Sequence, residues 1–199
     1  SKRKANFPLG LLGAKASVNY EPLGTVGMIS PWNFPMFLTF SPAASIFAAG
    51  NQIMHKPSEY TDHSSQLMKE VCDNVFDEEE FATILGGPDV GATFTQQKFD
   101  HLLYTGSGAV AKHIMRAAAE NLVPVTLELG GKSPVIVSNT ADSVIAAKRI
   151  MLGKTMNAGQ ICLAPDYVMV HSDKKDELVT SMKEAVADFY PDLKHNDDY

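Results

Sequence analysis

Along the first 130 positions, short apolar runs alternate with longer stretches in which apolar residues recur every three or four places. Residues 26–30, 51–55, 81–85, 101–104 and 123–129 read as five short strands, each bounded by Gly, Pro, Asn or Ser. Between the second and third, Leu67, Met68, Val71, Cys72, Val75 and Phe76 form a stripe of helical period over residues 62–76. Residues 36–49 are apolar nearly all round, so they are expected to form a buried helix. Residues 89–96 suit a short helix, and a helix after Gly108 would put Val110, Ile114, Ala117 and Ala118 on one face. The alternation restarts after Gly130-Gly131. A strand is expected at 134–138, then a helix capped by Thr140 or Asp142 and running through Arg149. Residues 167–171 read as another strand. Ser172 or Asp173 would cap a last helix with Leu178, Met182, Ala185, Val186 and Phe189 inside. Residues 1–21 show no strong period beyond a short strand at 16–20. The acidic run 77–80 reads as a solvated turn, and the polar tail 192–199 is expected to fray. Strands alternating with helices at this spacing place the chain in the α/β class, with a mainly parallel sheet and helices on both faces.

Composition narrows the picture. Hydrophobic content of 45% and charged content of 20% are ordinary for a globular protein, and 199 residues can bury a real core. The net charge of -6 and the lack of an aromatic-basic stripe argue against nucleic acid as a partner. No apolar run approaches the roughly 20 residues of a membrane-spanning helix, and the N-terminal stretch lacks a signal-peptide core. Two cysteines do not make a disulfide framework, which favours a reducing compartment and a cytoplasmic location. The histidines and cysteines have no metal-ligand spacing, so no metal is expected; His55 and His101 read as satisfied structural histidines within strands.

Three stretches carry candidate chemistry. In the first, Met156-Asn157-Ala158-Gly159-Gln160-Ile161-Cys162-Leu163-Ala164-Pro165, a Cys sits among small and amide residues that make a poor core strand. That composition suits a tight loop presenting a backbone N–H beside the sulfur. Cys72, on an apolar helical stripe, fits simple packing instead. The second stretch, Thr126-Leu127-Glu128-Leu129-Gly130-Gly131-Lys132, carries a lone carboxylate along an apolar strand; once buried it would need a partner or a raised pKa. A thiolate nucleophile and a carboxylate base make a catalytic pair. The third, Pro31-Trp32-Asn33-Phe34-Pro35, is a non-helical turn at the C-terminal end of the first strand, the edge where ligands bind in open α/β sheets. Gly106-Ser107-Gly108-Ala109-Val110-Ala111 also fits a dinucleotide fingerprint, with Glu128 as an apparent ribose ligand; that reading competes with Glu128 as base.

The Asn157-to-Cys162 string and Leu127-Glu128-Leu129-Gly130-Gly131-Lys132 together resemble the aldehyde dehydrogenase superfamily. The longer runs from Pro124 to Pro134 and from Ala164 to Val168 are most similar to its class 3 and coniferyl-aldehyde branch. The resemblance implies a connecting segment at 1–21, a Rossmann-like NAD(P)-binding domain at 22–130, and part of an α/β catalytic domain at 131–199. It implies Cys162 as nucleophile, Glu128 as general base and Asn33 as oxyanion donor beside the Cys162 N–H. Lys56 and Glu59 would meet the adenosine ribose, Gly106 and Ser107 the pyrophosphate, and Ser30, Trp32 and Leu129 would complete the cofactor contacts. The family often has Gly where this chain has Ala111, which would alter helix packing slightly. Glu59 disfavours a ribose 2′-phosphate, so NAD is expected, with NADP as the alternative. The implied reaction is oxidation of an aldehyde, aromatic or coniferyl-type, to its acid by a dimeric or tetrameric parent enzyme. The family's C-terminal Glu-x-Phe-Gly-Pro motif has no counterpart here, so the chain reads as an internal fragment. Nucleotide binding without turnover and cofactor-independent thiol esterase action by Cys162 and Glu128 are the competing readings.

Overall fold

The computed structural model describes residues 1–192 and 195. The chain divides into two compact units, residues 1–104 with 113–126, and residues 105–112 with 127–199.

A five-stranded sheet lies mostly in the first unit, with residues 105–106 and 127–129 of its last two strands counted in the second. The strands are β3 (Thr25–Ile29), β4 (Gln52–Lys56), β5 (Phe81–Thr83), β6 (His101–Gly106) and β7 (Val125–Leu129). A two-residue ladder, β1 (Lys2–Arg3) with β2 (Ala16–Ser17), precedes them; β2 is all that forms of the strand expected at 16–20. The spatial order is β5-β4-β3-β6-β7, and β3 pairs in parallel with both β4 and β6. The chain therefore moves outward from β3 to β5 and then crosses back to the other side of β3. Such a reversal leaves a crevice at the C-terminal strand ends, where ligands settle in open α/β sheets. Helices α1 (Phe37–Ala48), α2 (Asp62–Val75), α3 (Pro88–Thr95) and α4 (Gly108–Glu120) flank the sheet.

Met28, Ile53, Cys72 and Phe81 are almost fully buried together, with Phe47 and Phe76 stacked at 5.1 Å against them. Each such side chain contributes about 1.5–3 kcal/mol by leaving water. Gly27 is required in β3, because a Cβ there would lie 2.5 Å from the Phe99 ring. Helix α1 departs from expectation. Only Thr39 and Ala43 are fully buried in it, and Phe37 is 68% exposed. A helix lying on one face of a sheet buries a stripe, however apolar its remaining positions are. The same geometry splits the α2 stripe, in which Met68 and Cys72 are buried while Leu67, Val71 and Val75 face outward. In α4 the buried positions are Ala111, Ile114 and Ala118; Val110 is exposed.

The second unit contains the parallel pair β8 (Ser133–Val137) and β9 (Pro165–Val170), with α5 (Ser143–Thr155) and α6 (Lys175–Phe189). Val137, Ala147, Ile150 and Leu178 form its core, with Val135, Val168, Val170 and Met182 packed against them. Asp142 caps α5 by accepting from the Val144 and Ile145 amides at 2.9 Å, and α5 runs six residues past Arg149. Neither Ser172 nor Asp173 caps α6. They lie in a short 3-10 turn, Ser172–Lys174, that leads into the helix, so the chain is already helical before a capping geometry can form. Most of the tail expected to fray, residues 193, 194 and 196–199, lies outside the described residues. No helix among the described residues is long and apolar enough to cross a membrane.

Candidate active site

In the first unit, the candidate residues cluster at the C-terminal ends of β3 and β4. Ser30 follows β3 directly and is buried, as is Pro31; Trp32 is 45% exposed and Asn33 is half-buried in the turn before α1. The Ser30 amide donates to the Lys56 carbonyl at 3.2 Å, which carries the parallel pairing one residue past β3. Lys56 ends β4 with only 3% of its surface exposed. Its ammonium donates to the Pro57 carbonyl at 2.7 Å and lies 4.0 Å from the Glu59 carboxylate. Burial pulls the Lys56 ammonium below its usual range, and the carboxylates of Glu59 and Asp89 oppose that shift. Lys56 and Glu59 thus form a loose ammonium–carboxylate pair that sets one donor beside one acceptor.

Beneath that pair is a polar cluster that the sequence does not announce. The Ser30 hydroxyl lies 2.7 Å from His55 Nε2, and Thr39 Oγ1 donates to Ser30 Oγ at 2.9 Å while lying 3.3 Å from the same nitrogen. All three residues are buried. Burial, with the Lys56 cation adjacent, pushes the His55 imidazole down to about 3, so it is neutral at ordinary pH. Its Nδ1 has no hydrogen-bond partner among the described residues, so the expectation of a fully satisfied structural histidine fails at one nitrogen. The missed signals are a lone Thr in an apolar helix and a His in a buried strand.

In the second unit, Gly106 ends β6 and Ser107 stands at the start of α4, where its hydroxyl accepts from the Val110 amide at 3.3 Å. The first-turn amides of this 13-residue helix give that end a partial positive charge. Glu128 and Leu129 are both exposed at the end of β7. The expectation that burial forces Glu128 to find a partner therefore does not hold; its alternate position on the strand turns the carboxylate outward.

Cys162 is free and exposed, whereas Cys72 is free and buried. The chain reaches Cys162 through three consecutive residues of positive φ: Asn157 at 49°, Ala158 at 53° and Gly159 at 78°. At the last of these, an added Cβ would also approach the Lys154 carbonyl oxygen to 3.1 Å, so Gly is demanded twice over. Ala158 in this conformation stores about 1–2 kcal/mol of backbone strain. A tight turn follows, with the Ala164 amide donating to the Ile161 carbonyl at 3.0 Å. Two contacts bring the Glu128-to-Lys132 segment to this loop. Gly131 passes so close that a Cβ on it would lie 3.8 Å from the Cys162 carbonyl oxygen, and Lys132 Nζ pairs with Asp166 Oδ1 at 2.9 Å.

The structure thus gathers Ser30, Trp32, Asn33, Lys56 and Glu59 in one unit, and Gly106, Ser107, Glu128, Leu129 and Cys162 in the other. Comparison with known proteins gives these residues a context. The model of the aldehyde dehydrogenase family matches residues 3–197. A coniferyl aldehyde dehydrogenase of Pseudomonas sp. (strain HR199) is 58% identical over 196 residues, which are 98% of this chain and 40% of that protein. A mouse enzyme named "Aldehyde dehydrogenase, dimeric NADP-preferring" is 44% identical over 92% of the chain and 40% of its own length. Among solved structures, a substrate-bound Staphylococcus aureus AldH superposes with a TM-score of 0.89 at 43% identity, covering 95% of this chain and 41% of that one. The chain spans about two fifths of the length of the relatives it matches.

Proposed function

Since the chain belongs to the aldehyde dehydrogenase family, we propose that it carries the nucleophile, base and cofactor-binding residues of an enzyme oxidising an aldehyde to its carboxylic acid. The observation that carries this reading is the exposed Cys162 in its left-handed loop, whose carbonyl lies against Gly131, three residues past Glu128. Residues 22–130 would hold the nucleotide and residues 131–199 would supply the nucleophile, with 1–21 as a connecting segment. The sheet strands β3 to β7 fall in the former range and the β8–β9 pair in the latter.

In the proposed reaction, the Cys162 thiolate adds to the aldehyde carbon to give a thiohemiacetal. The oxyanion is held by the Asn33 side-chain amide and the Cys162 N–H, an arrangement in which one donor contributes about 10²–10³ in rate. NAD, with NADP as the alternative, supplies the hydride acceptor when bound. Covalent attachment is what makes hydride loss feasible, because the carbon must first become tetrahedral. Loss of hydride leaves a thioester on Cys162. Glu128 takes a proton from water, the hydroxide adds to the thioester carbonyl, and the acid departs as the thiolate re-forms.

The donor set fits a dinucleotide. Lys56 and Glu59 offer one donor and one acceptor to a ribose diol, and the start of α4 offers amides to a pyrophosphate. Ser30, Trp32 and Leu129 complete the proposed contacts. The Glu59 carboxylate supports NAD over NADP, since a 2′-phosphate would meet like charge. An aromatic, coniferyl-type substrate is supported by the 58% identity to an enzyme of that name. A homodimeric or homotetrameric assembly is supported by the dimeric mouse relative, and a cytoplasmic location by two free cysteines.

A second reading is nucleotide binding by this chain without turnover, favoured by the two fifths of relatives' length that it spans. NADH formation with an aromatic aldehyde, measured beside a Cys162→Ala variant, separates the two. Turnover that vanishes in the variant supports the enzyme. NAD binding with no NADH, while Cys162 still reacts with iodoacetamide, supports the second reading.

A further inference from the structure

The turn that carries Asn33 is tied at both ends to one buried imidazole. Before the turn, Ser30 is 2% exposed and its hydroxyl lies 2.7 Å from His55 Nε2. After it, Thr39 occupies the first turn of α1 with no exposed surface and donates to Ser30 Oγ at 2.9 Å. The hydrogens then run in one direction. Thr39 donates to Ser30, and Ser30 spends its own proton on Nε2, which leaves the neutral ring's hydrogen on Nδ1.

We infer that His55 is a positioning residue which, through Ser30 and Thr39, clamps the Pro31–Pro35 turn and so fixes where the Asn33 amide points. The inference rests on the reading of Asn33 as the oxyanion donor.

Three observations favour a clamp over packing. Helix α1 begins without a capping side chain, its N-terminal neighbour Met36 making no side-chain cap, so Thr39 is the side chain that ties this end of the turn into the interior, beside the backbone bond from the Leu38 amide to the Phe34 carbonyl at 2.9 Å. The imidazole belongs to β4, a central strand paired on both sides, so the clamp is anchored in the most constrained part of the sheet. Finally, the cluster is a poor device for stability alone. It buries three polar side chains and leaves Nδ1 without a partner among the described residues, an omission that counts against the fold. Apolar side chains of the same shape would pack without that penalty, but they would not fix a direction. Because the same strand continues into Lys56, the clamp also sets the turn relative to the proposed ribose pair.

The test uses the protein at its full natural length and four variants: His55→Phe, Ser30→Ala, Thr39→Val and Asn33→Ala. A displaced donor near the reacting carbon lowers rate by up to about 10²-fold. Each clamp variant is therefore expected to lose about 10- to 100-fold in kcat for aldehyde oxidation. In His55→Phe and Thr39→Val, which touch no proposed cofactor contact, the Kd for NAD and the rate of Cys162 alkylation by iodoacetamide should stay within about threefold of the parent, since neither reads the oxyanion. Adding a clamp variant to Asn33→Ala should produce little further loss, because both act through one group. Thr39→Val keeps the shape of the side chain, so it remains informative if His55→Phe folds poorly. Normal kcat in the clamp variants beside a slow Asn33→Ala, or losses that multiply with that of Asn33→Ala, would overturn the clamp alone. A normal rate in Asn33→Ala would overturn the oxyanion reading and the clamp with it.

Discussion

The turn bearing Asn33 and the loop bearing Cys162 are held by opposite means. The first is anchored from below, by Ser30, Thr39 and His55 in a dry interior where each hydrogen bond is strong and each missing one is costly. The second is exposed, and its course is set by the chain's own backbone: three left-handed residues, a required Gly159 and one ion pair in water. A donor that must point at a developing charge gains from a rigid mount. The proposed nucleophile, which in that reaction would swing through attack, hydride loss and hydrolysis, gains from a loop whose course is set by backbone while its side chain stays exposed. The difference is in what each element may not do: the Asn33 turn may not tilt, and the Cys162 loop may not lose its path.

The sharpest break in this comparison is at the proposed nucleophile. Cys162→Ala should abolish aldehyde oxidation while moving the thermal midpoint little, since an exposed side chain away from packing contributes within about 0.5 kcal/mol. Activity and calorimetry on one preparation check both halves. Next is Asn33→Ala, expected to lower kcat by about 10²–10³. Gly159→Ala should act on the other side's geometry, adding about 1–2 kcal/mol of strain and a close contact to the Lys154 carbonyl. Slower alkylation of Cys162 would report it.

A smaller effect separates the two anchors by pH. His55 in the fold titrates at about 3, against 6.5 when free, so between those values the unfolded chain binds more protons. Stability from keeping this ring neutral is present above pH 6.5 and is lost as pH falls towards 3, amounting to a few kcal/mol. Denaturant midpoints at pH 7 and pH 4 should therefore diverge less in His55→Phe than in the parent. The smallest effect belongs to the ion pair beside the loop. Lys132 is 79% exposed, so Lys132→Gln should alter stability by less than about 1 kcal/mol.

How much of this was legible in the sequence follows the same division. The strands β3 to β6 could be read because they are short apolar runs between turn residues, a property local to each run. The contrast between Cys72 and Cys162 was legible from neighbours alone, one on a helical stripe and the other among Gly, Gln and Pro. The role of Lys56 came only through a family resemblance, which also decided between the base and ribose-ligand readings of Glu128, and the burial expected of Glu128 did not occur because strand alternation decides which way a side chain faces. The Ser30–Thr39–His55 cluster was not legible. Its members lie on two strand ends and a helix, and no period along the chain relates positions 30, 39 and 55. The apolar sweep of α1 was read in full, yet burial reached only the stripe that meets the sheet.

The proposed chemistry stands on a covalent intermediate at Cys162 that Glu128 releases. The most direct measurement is mass spectrometry of a Glu128→Gln variant, quenched after mixing with an aromatic aldehyde and NAD. The expected result is an acyl adduct on the peptide containing Cys162, accumulating in the variant and turning over in the parent. An unmodified Cys162, or a Glu128→Gln variant that turns over at the parent's rate, would contradict it.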